Sequence, residues 1–298
     1  MEQKTAFITI SGKPNVGKST LLNALLGEKV AIVSKKPQTT RTRITGILTQ
    51  GNNQYVFTDT PGLHKPKNLL GQYMMSVAGN ATADADLIFF VIDVSSGPVS
   101  VNEKDTLKKL TKTNQNVFLI INKVDKTNKS ELAKAISELS SEMEFKSVIP
   151  ISALTGEGVD IILNEIEPYL VESPHFFPDD IYTDQPERQI VAEIIREKIL
   201  RLLEDEIPHG VAVVVEEFKE KKNAIFIRAE IFCEKEAHKG IIIGKSGAML
   251  KKIGMYSRED AEKIFDSKIF LDLWVKVKEN WRERQSLVSN FGYNDSEN

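Results

Sequence analysis

The sequence predicts two domains in tandem, an α/β domain built on a mostly parallel sheet followed by a smaller α+β domain. Three observations carry that prediction. The 298 residues exceed one ordinary domain of roughly 100 to 200. The first half alternates short β-branched or aromatic runs with helix-length amphipathic stretches. The order of elements then changes beyond a stretch interrupted by Pro174 and Pro178. With 41% hydrophobic and 27% charged residues, the composition fits a globular chain with ordinary cores and excludes disordered, collagenous and disulfide-stapled classes. The longest apolar runs, such as 87–92 and 117–121, fall far short of the roughly 20 residues a bilayer demands, so they read as buried strands.

In the first domain the strands are expected at 5–11, 44–50, 54–58, 86–93, 116–121 and 147–151. Helix-length segments separate most of them and imply parallel crossovers, but Gly51-Asn52-Asn53 alone joins the second to the third, so one pair should be antiparallel. A last amphipathic helix, 159–170, leads to the break, which gives a first domain over 1–172, a linker over 173–184 and a second domain over 185–298. There, Ile190, Ile194, Ile195, Ile199, Leu202 and Leu203 line one face of a helix at 187–204, followed by strands 211–218 and 224–233. Helices 235–243 and 247–265 and a strand 268–277 complete it, and the polar end, 294–298, is expected to fray. The opening Met-Glu-Gln-Lys-Thr has no basic stretch followed by an apolar one, and Cys233 is the single cysteine, so a cytoplasmic, reducing setting is expected with Cys233 as a packing residue.

Gly12-Lys13-Pro14-Asn15-Val16-Gly17-Lys18-Ser19 follows the first strand and opens a helix, which is where a phosphate-binding loop must sit. Its glycines let backbone N–H groups approach phosphate oxygens, and the helix behind presents its positive end. Lys18 is expected to span the β and γ phosphates, Ser19 to offer its hydroxyl to Mg²⁺, and Thr20, next in the helix, to belong to the nucleotide-binding set with them. Asp59-Thr60-Pro61-Gly62-Leu63 follows an apolar strand, so Asp59 can reach Mg²⁺ and the Gly62 N–H the γ phosphate. Between them, the polar stretch 37–43 contains Thr39 and Thr40, either of which suits the metal, and can be ordered by the γ phosphate. A second mobile segment is expected at 63–71.

Asn122-Lys123-Val124-Asp125 comes directly after a buried strand. An ionised Asp125 only accepts hydrogen bonds, so it can take the ring N–H and exocyclic amine of guanine together, which adenine does not offer. Lys123 can lie along the purine, Asn122 can tie the loop to its neighbours, and Ser152-Ala153 is expected to donate backbone N–H groups to the base carbonyl. Leu63 stands where Ras-type enzymes place the glutamine that orients water, so slow intrinsic hydrolysis is expected. Asn15 is a candidate ligand for a monovalent cation such as K⁺, and His64 reads as a hydrated surface histidine rather than a base.

The charge of 39 Lys or Arg against 42 Asp or Glu, net −3, argues at first against nucleic acid. Locally it differs: 235–252 holds five lysines against Glu236 alone. In that segment Gly244-Lys245-Ser246-Gly247 joins two helices within an α-β-β-α-α-β order, the layout of a type II KH domain, whose glycines approach the backbone of a short single-stranded RNA. Lys239, Lys245, Lys251 and Lys252 are the expected phosphate contacts, while Met249, Leu250, Ile253, Trp274 and Trp281 read as packing.

These motifs together, with Gln38-Thr39-Thr40-Arg41, Ile242-Ile243-Gly244-Lys245 and the tail from Leu271 to Lys278, resemble the bacterial Era GTPases of the TrmE-Era family from end to end. The resemblance implies an α/β P-loop GTPase domain of Ras-like fold with one antiparallel hairpin strand, followed by an α+β type II KH domain. It further implies a monomeric GTPase that binds the 3′ end of 16S ribosomal RNA, assists maturation of the 30S ribosomal subunit and associates peripherally with the cell membrane. Lys13, Pro37 and Ser246 stand where the family usually has Arg, Ala and often Gly. The competing readings are an RNA-binding scaffold that uses nucleotide structurally and a phosphotransferase acting on a small metabolite.

Overall fold

A computed structural model describes residues 2–113, 116–205 and 207–294; past Asn294 the expected frayed tail lies outside the described residues. By internal contacts the chain divides into two units, Met1–Val33 with Thr40–Lys65 and Met74–Asp184, and Ser34–Thr39 with Pro66–Tyr73 and Gln185–Asn298.

In the first unit, β1 (Lys4–Gly12) runs into α1 (Lys18–Leu26), and the hairpin β2 (Ile44–Gln50) and β3 (Asn53–Asp59) follows. After α2 (Leu69–Ala83) come β4 (Leu87–Asp93), α3 (Val101–Lys112), β5 (Asn116–Asn122), α4 (Lys129–Glu142), β6 (Ser147–Pro150) and α5 (Val159–Ile166). The strand order is β2-β3-β1-β4-β5-β6, with β2 antiparallel to β3 and the rest of the path parallel. Every side chain from Leu87 to Ile92 is fully buried, because alternate residues enter two different cores. Phe89 joins Ile8, Phe57 and Phe118 on one face of the sheet, while Phe90 and Ile92 join Leu107, Leu119 and Leu139 on the other.

In the first unit two elements differ from the sequence expectation. The helix expected over 159–170 stops at Ile166 and tightens into a 3₁₀ turn over Glu167–Tyr169, where Pro168 has no N–H to continue the ladder. The chain then adds a strand that the sequence pattern does not announce, β7 (Val171–Glu172), antiparallel to β1 at Lys4 and Thr5. Two residues are too few to show an alternation. The stretch after it lies along the same unit: Gln54 accepts from the backbone of Phe176 and Phe177, and Thr183 Oγ1 donates to Thr45 O at 2.7 Å.

The register brings the functional loops to one edge. Asp59 lies opposite Ile10, Gly12 opposite Val91, and Asp93 opposite Asn122, so the carboxyl ends of β1, β3, β4 and β5 open side by side.

The second unit contains α6 (Glu187–Leu202), β8 (Ala212–Lys221), β9 (Ala224–Cys233), α7 (Glu236–Ile243), α8 (Ala248–Phe265), β10 (Ile269–Val277) and α9 (Gln285–Asn290). Its sheet has the order β10-β9-β8, with β8 antiparallel and β10 parallel to β9. Ile194, Ile195 and Ile199 of α6 pack with Ile227, Ala229, Ile231, Ile242 and Ile253, and Cys233 is buried among them. Trp281 is fully buried and donates its indole N–H to Gly210 O at 2.9 Å, as a packing residue should. Trp274 does not pack: it is 56% exposed, because on β10 it shares the outward parity of Phe270 and Asp272.

Candidate functional site

The loop after β1 is shaped by backbone proximity. A Cβ on Gly12 would stand 2.3 Å from Val91 O, and one on Gly62 2.6 Å from Pro14 N, so only glycine lets the β1 and β3 loops approach this closely. Leu63 N donates to Gly12 O at 3.0 Å and closes that approach. Lys13 reaches outward to Glu103 at 2.6 Å, and Thr20 continues α1 behind Lys18 and Ser19.

Lys18 is buried, and its ammonium donates to Gly12 O at 3.2 Å and Lys13 O at 2.9 Å. Burial pulls its pKa down to about 8, against the opposing charge of Asp59. Asp59 is buried too, and desolvation pushes its carboxyl above the ordinary value despite Lys18 and the hydroxyls of Ser19 and Thr40. Ser19 Oγ donates to Asp59 Oδ2 at 2.5 Å, Thr40 Oγ1 donates to the same oxygen at 3.2 Å, and the two hydroxyls lie 2.9 Å apart. Asp59 Oδ1 is buried without a hydrogen-bond partner. One carboxylate with an unpartnered buried oxygen beside two hydroxyls is a hard-oxygen donor set, which fits Mg²⁺ completed by phosphate oxygens and water.

Of the two threonines, the structure brings Thr40 and not Thr39 to this cluster. Thr39 Oγ1 donates to Lys36 O at 2.7 Å, and the segment Ser34–Thr39 groups with the second unit. There the buried Arg196, paired with Glu193, donates to the carbonyls of Gln38 and Thr39. Of the expected metal contacts Ser19, Thr39 and Asp59, Thr39 thus lies apart from the other two here, and Thr40 is the threonine whose hydroxyl faces Asp59.

Asn122 is the tie between loops. Its Nδ2 donates to Val16 O at 2.8 Å, and its Oδ1 accepts from Lys123 N at 2.8 Å and Ala153 N at 2.9 Å. A Cβ on Gly17 would lie 2.2 Å from that Nδ2, so glycine here leaves room for the tie. Lys123, held at φ 67°, donates to Asn15 O at 2.7 Å and to Asp93 Oδ2 at 2.5 Å. Burial alone would raise the Asp93 carboxyl; hydrogen bonds from Lys123 and Ser95 and the ammonium charge hold it below its ordinary value. Sequence reasoning missed Asp93. The signal was its place as the polar residue ending a fully buried strand, in register with Asn122.

Val124 and the exposed Asp125 begin a 3₁₀ turn beyond Asn122, and Ser152 Oγ donates to Asp125 Oδ1 at 2.7 Å. The Ser152 and Ala153 N–H groups, expected to donate to a base carbonyl, here donate to Glu157 O and Asn122 Oδ1. In this arrangement the pair also braces the base loop, through a hydroxyl and a backbone N–H. Thr60 donates through its hydroxyl to Ile10 O at 2.8 Å, and Pro61 is buried beside it. His64 is not the hydrated surface residue expected. It is half-buried, with Nδ1 2.8 Å from Gly62 O and Nε2 buried without a partner.

In the second unit, Gly244, Lys245, Ser246 and Gly247 form a tight connection between α7 and α8. Gly244 adopts φ 74°, ψ 174°, a region only glycine populates freely, and a Cβ there would meet Met249 Cβ at 2.7 Å. Ser246 takes the left-handed φ of 52°. Lys245, Lys251 and Lys252 are exposed and Lys239 is half-buried, so the structure leaves three of the four expected cations open to solvent. A cavity of about 850 Å³ borders this connection, lined by Gly247, Leu250 and Lys251 on one side and Phe226, Phe270 and Leu273 on the other. Ile253 is core, as expected, while Leu250 both packs and lines the cavity.

A phosphate loop, a buried acidic strand end and a guanine-type loop at one sheet edge define a P-loop nucleotide-binding domain, here coupled in one chain to a KH-type module. Comparison with known proteins agrees. The 50S ribosome-binding GTPase family matches residues 7–123 and the KH domain family residues 206–282. GTPase Era of Ruminiclostridium cellulolyticum is 48% identical over 299 residues, covering 100% of both chains, and that of Clostridium kluyveri is 50% identical, covering 97% of this chain and 99% of its own. Among solved structures, a variant Era from Aquifex aeolicus bound to GDP·AlF4⁻ superposes with a TM-score of 0.94 at 39% identity, covering 98% of this chain and 99% of its own. An Era in complex with MgGDPNP and nucleotides 1506–1542 of 16S ribosomal RNA gives 0.94 at 40% identity with the same coverage. The chain belongs to the Era family of GTPases, and GTP hydrolysis is its reaction.

Proposed function

We propose that the chain is a guanine-nucleotide switch that binds the 3′ end of 16S ribosomal RNA through its second domain and assists assembly of the 30S subunit. One observation carries the reading: the Lys18–Asp59–Asn122 edge and the Gly244–Gly247 connection occur in a single chain that matches an RNA-bound relative over 98% of its length.

The roles follow from the geometry. Backbone N–H groups from Asn15 to Ser19 cradle the phosphates, and the buried ammonium of Lys18 exchanges carbonyl partners for phosphate oxygens. Anionic phosphate favours its charged form and offsets the desolvation that lowers its pKa. Ser19, Thr40 and Asp59 would hold Mg²⁺, which when bound neutralises charge on the β and γ oxygens. Asp125, braced by Ser152, accepts from the guanine edge, and Lys123, anchored on Asp93, fixes the loop's height over the phosphate loop. Leu63 offers no group to orient water, so the basal rate is slow. A monovalent cation at Asn15 supplies added charge stabilisation in the same proposal. Lys245, Lys251 and Lys252 contact RNA phosphates, and Lys239 supports them from the flank. Among the described residues no helix is long and apolar enough to cross a membrane. Peripheral membrane association belongs to the proposal on the family resemblance alone.

The test is binding of RNA spanning nucleotides 1506–1542 by the full chain with a GTP analogue, with GDP and without nucleotide. Tighter binding in one nucleotide state is expected, and three equal affinities would refute the switch. Single-turnover GTP hydrolysis accelerated by 30S particles is the second expected result, and no acceleration would count against a role in subunit assembly.

A further inference from the structure

In a three-stranded sheet with helices on one face, the other face meets water and should be polar. Here α6 and α8 cover the face carrying Ile227, Ile269, Leu271 and Leu273. The opposite parity carries four large aromatics; Phe232 of β9 is buried against Phe291, but Phe226 of β9 and Phe270 and Trp274 of β10 are 36%, 52% and 56% exposed. Phe226 and Phe270 are cross-strand partners whose rings stack at 4.7 Å with planes 11° apart, and Lys221 Nζ sits 4.4 Å from the Phe226 ring centre. Trp274 donates its indole N–H to Asp272 Oδ2 at 2.8 Å, which fixes the ring's orientation.

A cross-strand pair can simply stabilise a sheet. That explanation covers Phe226 and Phe270 but leaves Trp274 unexplained, since its partner across the ladder is Glu230. The surroundings indicate an occupant. One cavity is lined both by Gly247 and Lys251 and by Phe226 and Phe270 at the β10 edge of the sheet, with Arg228 and Arg258 also in its wall. A ligand gripped by its phosphates at the Gly244–Gly247 connection is therefore led onto flat aromatic rings with cations alongside. Phe270 and Trp274 are four residues apart on one strand, about 13 Å at strand rise, a spacing that extended single-stranded nucleic acid covers in about two nucleotides.

We propose that Phe270, backed by Phe226, and Trp274 are stacking platforms for two unpaired nucleobases of the RNA strand held at the Gly244–Gly247 connection. This inference rests on the RNA-binding reading above and adds the residues that grip bases without regard to their hydrogen-bonding edges. Every base has a π face, so the platforms contribute affinity and set the strand's path, while sequence choice lies elsewhere.

The test uses the full chain with a GTP analogue and the same RNA fragment, in native form and with abasic sites introduced one at a time. Phe270→Leu keeps an apolar side chain but removes the ring, and should weaken binding roughly tenfold or more, whereas Phe270→Trp should stay within about twofold. One abasic position should weaken the wild type yet make no further difference to Phe270→Leu. RNA should quench a fluorescence component that Trp274→Phe lacks, distinct from the buried Trp281. Binding that is abolished by Gly244→Asp but unchanged within twofold by Phe270→Leu and Trp274→Phe would overturn the platforms alone. A wild-type chain that fails to bind the fragment would overturn the RNA reading and the platforms with it. Self-association of the wild type that Phe270→Leu removes would assign the face to a second copy and also overturn the proposal.

Discussion

Asn122→Ala tests whether the base loop is held by one side chain. The substitution removes the acceptor of Lys123 N and Ala153 N and the donor to Val16 O, all in a residue only 3% exposed. Each buried N–H left without a partner costs roughly 1–3 kcal/mol, so exchange protection at these two amides should fall by about 5- to 150-fold each. Because Lys123 and Asp125 lose their fixed position, GDP affinity should fall at least about tenfold in the same protein. Hydrogen exchange resolved at single amides and calorimetric GDP titration read the two effects. Asn122→Asp separates them. Its carboxylate still accepts from both amides, so protection should survive, but it faces Val16 O without a donor and GDP affinity should fall. Unchanged protection and unchanged affinity in Asn122→Ala would refute the tie.

The buried ammonium of Lys18 gives a pH dependence. Its folded pKa of about 8 lies below the ordinary 10.5, so phosphate binding, which favours the charged form, must take up a proton above pH 8. GDP affinity should therefore fall about fourfold from pH 7 to 8.5 by titration calorimetry, and nucleotide-free stability should rise between pH 8 and 10.5, where the unfolded chain binds the extra proton. Thr40→Val should weaken the Mg²⁺ dependence of GTP-analogue binding by about tenfold while Thr39→Val leaves it intact, because only Thr40 faces Asp59. Ser246→Gly should stabilise the second domain by about 0.5 kcal/mol in urea unfolding, as relief of a left-handed serine outweighs the added freedom of glycine.

The fold was legible wherever residues repeat a pattern. The strand at Ile44–Gln50, the hairpin after it and the strand at Ala224–Cys233 lie where alternation and turn chemistry put them. The strand Val171–Glu172 was not legible, because it exists by pairing with Lys4 and Thr5, a contact some 167 residues away along the chain. The nucleotide motifs were legible as short strings, but their internal wiring was not. No spacing rule distinguishes Thr39 from Thr40, and the distinction comes from the folded partners of each hydroxyl, Lys36 O for Thr39 and Asp59 for Thr40. Asp93 was hidden for a related reason, since a lone carboxylate at a strand end is common and its meaning comes from Lys123 across the register.

The same logic explains why charge counting was a poor guide to the second domain. A net charge of −3 measures the far field, and the far field governs steering rather than grip. Grip on a short strand depends on features within a few ångströms: Gly244 lets backbone approach where a Cβ would strike Met249, three lysines stand open to solvent, and aromatic faces lie beyond them. Of these, only the lysines enter a charge sum. If Phe270 and Trp274 carry a large share of the affinity, the salt dependence of RNA binding will be shallow for its strength, because stacking releases no counterions. A slope of log affinity against log salt near −0.7 for each of Lys245, Lys251 and Lys252, unchanged in Phe270→Leu while affinity falls, is the result this division of labour requires. A steeper slope that fully accounts for the affinity would return the binding to charge alone.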